Sequence, residues 1–199
     1  MAEPRGGDMA DRDAAGVQLM HETFVRWRDM PPVRVTLDRH IAWTVMLALQ
    51  TAATHPGFTE SSWGPALVSV GRQIQDVTAD DPEMRAHAER GWAAHDSGGP
   101  SDDPDADAAG IRMMTAAYTR WSSMPPVSVS AERLDAWAVL MGLQVAVRHP
   151  GFAPGSLMGG VVESVGRQLQ EGLCDTAELY AVAAAGWDRA ADVDPGAER

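Results

Sequence analysis

Apolar side chains return at helical spacing from the start of the chain. Val17, Met20, Phe24 and Trp27 fall at i, i+3, i+7 and i+10, which predicts a helix over roughly 13–29 with one apolar stripe. The Met30-Pro31-Pro32 run ends it, because proline lacks an amide donor and holds the preceding residue extended. A second helix is expected after Thr36 as N-cap, reaching about Thr54. Ala42, Trp43, Val45, Met46, Leu47 and Leu49 make it apolar on most faces, so it reads as the buried central helix. Pro56-Gly57 stops it with the signature of a type II turn. A third helix, roughly 65–76, turns Leu67, Val70 and Ile74 inward. A fourth starts near Asp80-Asp81-Pro82-Glu83, with acids and proline in its first turn, and lines up Met84, Ala88 and Trp92.

The whole pattern is then written again. Ile111, Met114, Tyr118 and Trp121 repeat the first stripe, and Met124-Pro125-Pro126-Val127 repeats Met30-Pro31-Pro32-Val33. Trp43 returns as Trp137, and His55-Pro56-Gly57-Phe58 as His149-Pro150-Gly151-Phe152. Val70-Gly71-Arg72-Gln73 returns as Val165-Gly166-Arg167-Gln168, and Gly91-Trp92 as Gly186-Trp187. Spacing is constant except for one extra residue after Phe152, which marks a loop. The expected fold class is all-α: a tandem duplication of a four-helix module, packed with pseudo-two-fold symmetry. The expected layout is a disordered start (1–11), repeat 1 (12–95), an acidic Gly/Pro/Asp linker (96–106), repeat 2 (107–190) and a disordered tail (191–199). A fused ancestral homodimer would explain it, since a two-fold interface is self-complementary. Val33-Arg34-Val35 and Val127-Ser128-Val129 come closest to strand alternation and are read as short extended connectors.

Charge narrows the function. The net charge is −12, yet about three quarters of the excess lies in the ends and linker, leaving modules near neutrality. That opposes nucleic-acid binding and weakens an alternative reading as an acidic DNA mimic, which needs its carboxylates on the rigid fold. All 16 basic residues are arginine and asparagine is absent, which points to a GC-rich bacterial genome, phage or plasmid. The single Cys174 excludes an internal disulfide and a cysteine zinc site. No signal peptide or membrane span is legible, so a cytoplasmic protein is expected.

Candidate chemistry is sparse. His55 and His149 recur, as possible ligand groups or as helix-end residues bonding free carbonyls. Glu83 and His87 share a helix face but lack the further ligands of a metal site. Six tryptophans recur in pairs on apolar stripes and read as core. Trp63, whose counterpart is near Met158 in the variable loop, is a candidate exposed contact residue. Gln50 and Gln144 need buried partners, expected in the Pro-Pro segment. Arg26 and Arg120 are read as capping their helix or stacking on an aromatic ring. Gly71 and Gly166, mid-helix, imply a closely packed neighbour.

One polar set is not demanded by the fold. Arg72, Gln73 and Gln75 recur as Arg167, Gln168 and Gln170 on a helix whose inner stripe is already filled, so they are the leading candidates for an interaction surface. Solvated helix surface or a capping arginine is the competing account. No phosphate loop and no nucleophile elbow is present. The expectation is a non-enzymatic interaction or scaffold protein without cofactor or metal, binding another protein, as a pseudo-dimeric monomer or a homodimer. A small-ligand or enzymatic site between the repeats is the alternative.

Overall fold

The computed structural model describes residues 7–97 and 104–191. The expected tails and linker lie largely outside these residues; where they overlap, the chain is helical. The first half runs α1 (Gly7–Trp27), β1 (Val33–Leu37), α2 (Arg39–Ala53), α3 (Pro56–Thr59), α4 (Gly64–Thr78) and α5 (Pro82–Ser97). The second runs α6 (Pro104–Trp121), β2 (Val127–Ala131), α7 (Arg133–Ala146), a 3-10 turn at Pro150–Phe152, α8 (Leu157–Leu173) and α9 (Ala177–Ala191). The protein is mostly helical, with one two-stranded sheet among the described residues.

That sheet corrects the all-α expectation. The two supposed connectors pair antiparallel, with Val33 opposite Ala131, Val35 opposite Val129 and Leu37 opposite Val127. Each strand finds its partner in the other half, so the pairing is invisible to a local pattern. The outward Thr36 and Ser128 hydroxyls meet at 2.9 Å. Inward, Val35 and Val129 help line a small apolar cavity of about 40 Å³, with Val45, Val70, Val139 and Val165 of the helices beneath.

Helices α2 and α7 form the centre, packed on each other and on α4 and α8. They start after Asp38 and Glu132, neither of which caps with its side chain; Thr36, the expected cap, and its counterpart Ser130 are used in the strands. Two tryptophan pairs cross between halves: Trp27 on Trp137 and Trp43 on Trp121, each at 5.9 Å between centroids. Of the expected stripes, Trp27 and Trp121 are buried and Met20, Phe24 and Met114 pack against the core, but the inward face is not wholly theirs. Val17 is 71% exposed, whereas Thr23 is buried, as are Met113 and Ala117 in α6.

Arg26 and Arg120 neither cap nor stack. Arg26 bridges to Asp175 at 2.7 Å, and Arg120 to Asp80 at 2.7 Å and Asp81 at 2.6 Å, each tying the end of α1 or α6 to the approach to α9 or α5 in the other half. Gln50 and Gln144 donate to the Ala88 and Ala183 carbonyls at 2.8 and 2.7 Å, not to the Pro-Pro segment. Gly91 and Gly186 make room for them, since a Cβ there would strike the amide. Pro56-Gly57 is not a type II turn. It opens α3, and the turn chemistry belongs to Pro154-Gly155, where Gly155 has φ +85° and Ser156 N–H closes on the Ala153 carbonyl at 3.0 Å.

Candidate interaction surface

The repeated polar set divides on folding. Gln75 and Gln170 are buried and serve the interior. The Gln75 carbonyl oxygen accepts the Trp92 indole N–H at 2.9 Å, and Gln170 accepts that of Trp187 at 3.0 Å. Gly71 and Gly166 lie directly under those indoles, so the close neighbour of each glycine is a ring from the fourth long helix of its half. The Gln75 amide donates to Glu89 at 2.6 Å, and Arg72 pairs with the same carboxylate at 3.0 Å while lying over the Trp92 ring. The Gln75 hydrogen bond, followed by those from Arg72, holds the Glu89 carboxyl below its ordinary range. Ala184 stands where Glu89 would recur. Arg167 therefore pairs with Glu163 on its own helix at 2.7 Å, over the Trp187 ring. Most of the set is thus bracing within each half, and Gln75 and Gln170 have no surface to offer a partner. Gln73 and Gln168 remain exposed.

His55 and His149 are exposed, and they cap from the other side than expected. Each Nδ1 accepts the backbone N–H two residues on, from Gly57 at 3.1 Å and Gly151 at 3.2 Å. Each imidazole is therefore the N-cap of the following turn rather than a donor to the preceding carbonyls. Trp63 is not exposed. Its indole is half-buried, edge-on to Phe24 at 5.9 Å, and packs against the core.

The halves part company at the counterparts of Trp63 and its neighbour. In the first half α4 begins only at Gly64, with Trp63 tucked inward and Ser62 outside. In the second half the added residue gives the Pro154-Gly155 turn, and the Ser156 hydroxyl caps α8 by accepting the Gly159 N–H at 2.9 Å. Helix α8 therefore starts at Leu157, and the counterparts of Ser62 and Trp63 become its first turn. Leu157 projects into solvent, 87% exposed.

Grooves lie on both sides of this Leu157–Met158 ridge. One, of about 830 Å³, is bounded by Trp43, Leu47, Met114, Tyr118 and Met158. The other, of about 550 Å³, lies between Leu37 and Ile41 of the first half and Leu157, Val161 and Gln168 of the second. Gln168 is the one member of the repeated polar set on their walls. Tyr118, the counterpart of Phe24, packs on His40 at 5.2 Å and stays 56% exposed. Sequence reasoning missed Leu157, Met158 and Tyr118. The signal was present in the exchange of Ser62-Trp63 for Leu157-Met158 beside the insertion.

Among the described residues, no three His, Cys, Asp or Glu side chains gather as metal ligands, and no helix is long and apolar enough to cross a membrane. Comparison with family models, curated proteins and solved structures finds no match to this chain.

Proposed function

We propose that the chain is a non-enzymatic protein-binding module, made of two copies of one helical unit whose second copy carries the binding face. Support for the duplication comes from contacts that recur about 95 positions apart: indole on glutamine, glutamine on carbonyl, histidine on amide, arginine on the opposite aspartate. The strand register is centred on Val35 and Val129, themselves counterparts, as a two-fold arrangement requires. On this reading a homodimeric ancestor was fused, in a GC-rich bacterium, phage or plasmid, and the product works in the cytoplasm as a pseudo-dimer. Fusion freed the copies to diverge, and the second carries Met158 where the first carries Trp63.

The observation that carries the function is Leu157, almost fully solvated between two apolar-floored grooves. A single exposed leucine is ordinary; one set on a ridge between such grooves is a contact waiting for a partner, worth about 1.5–3 kcal/mol on full burial. Gln168 supplies a polar edge.

The test is capture of binding proteins by the immobilised full-length chain, with Leu157→Asp compared against Ser62→Asp. The reading requires a partner held by wild type and by Ser62→Asp and lost with Leu157→Asp. A partner held equally by all three contradicts it.

A further inference from the structure

We infer that the larger groove receives an indole: a tryptophan side chain presented by the partner protein, inserted between Tyr118 and Met158. This deepens the proposed function and rests on it. The first half displays the occupant. There the corresponding space, beside Phe24 in place of Tyr118, holds the chain's own Trp63, packed edge-on at 5.9 Å. The second half keeps much of the frame and replaces the plug with the slimmer Met158.

The lining suits the same guest. Thioethers of Met114 and Met158 favour aromatic edges and adapt to their shape. Leu47 supplies the apolar floor, backed by the buried Trp43, and Tyr118 supplies an exposed ring to stack on. The groove is open along its length, so it leaves one side of a small guest in water. Free small molecules are held by sites that bury most of their surface. An open groove beside an exposed leucine instead fits an anchor whose backbone stays outside, the place tryptophan takes at protein interfaces.

The experiment titrates full-length protein with N-acetyl-L-tryptophanamide, an indole flanked by peptide bonds, by two-dimensional NMR and calorimetry. Wild type is expected to bind one equivalent, saturably, below about 20 mM. Met158→Trp restores the plug and should abolish this. Trp63→Met empties the first half and should create a second site, so the inference stays testable if either variant folds poorly. The absence of saturable binding to wild type, or binding indifferent to Met158→Trp, overturns it. Free indole binding more than tenfold tighter than the amide also overturns it, in favour of a small-molecule ligand. A partner protein still lost with Leu157→Asp while the amide does not bind would sink the indole anchor and leave the proposed function standing.

Discussion

The Arg120 guanidinium reaches the Asp80 carboxylate at 2.7 Å, while its counterpart Arg26 reaches Asp175 at 2.7 Å in the opposite direction. The two pairs sew the halves together reciprocally. In each, the arginine hydrogen bond outweighs partial burial and holds the aspartate below its ordinary range. A lowered folded pKa stabilises the protein above the unfolded value of about 4 and ceases to do so as the pH falls through the folded value. The arginines are some 40% exposed, so solvent screening limits each pair to about 1 kcal/mol. Arg26→Ala/Arg120→Ala should lower Tm at pH 7, and the gap to wild type should close as the pH falls below about 4. Thermal melts across that range check this; a gap independent of pH argues against it.

Gly71 and Gly166 let the Trp92 and Trp187 indoles lie on the helix backbone. Alanine normally favours a helix interior by about 1 kcal/mol over glycine. Here the added methyl would meet a buried ring anchored at its N–H, so Gly71→Ala or Gly166→Ala should destabilise by about 1–3 kcal/mol. Urea denaturation gives the sign directly, and stabilisation would contradict the packing described.

The cavity under the strand ribbon, about 40 Å³, has room for about one methyl group. Val129→Ile should fill it and raise stability by up to about 1 kcal/mol. A loss of stability would mean that the space is not accessible from that strand.

Cys174 is half-buried beside Asp175, and burial pushes its thiol up to about 11. The thiolate is therefore scarce at pH 8. Reaction with a disulfide reagent should be roughly 100-fold slower than for a free thiol and should accelerate on unfolding. Fast native-state labelling would contradict this.

The helices were legible because tryptophan, proline and glycine punctuate them twice. The strands were not, since Val33–Leu37 and Val127–Ala131 have meaning only as a pair from opposite halves. Nor was the fate of the repeated polar set. Arg72 and Gln75 recur because an indole needs an acceptor and a cover, a tertiary demand that looks in sequence like an unexplained polar face. The proposed binding face lies in the opposite signal, the positions where the two halves disagree. Repetition marked what the fold needs, and divergence at Leu157-Met158 marked what it does not.

The most direct test of the binding face places a photoreactive benzoylphenylalanine in the full-length chain, in place of Leu157 or of its counterpart Ser62. Crosslinking in the native cell should yield a discrete adduct from position 157 and none from position 62. Identical adducts from both positions, or none from 157, would contradict the account.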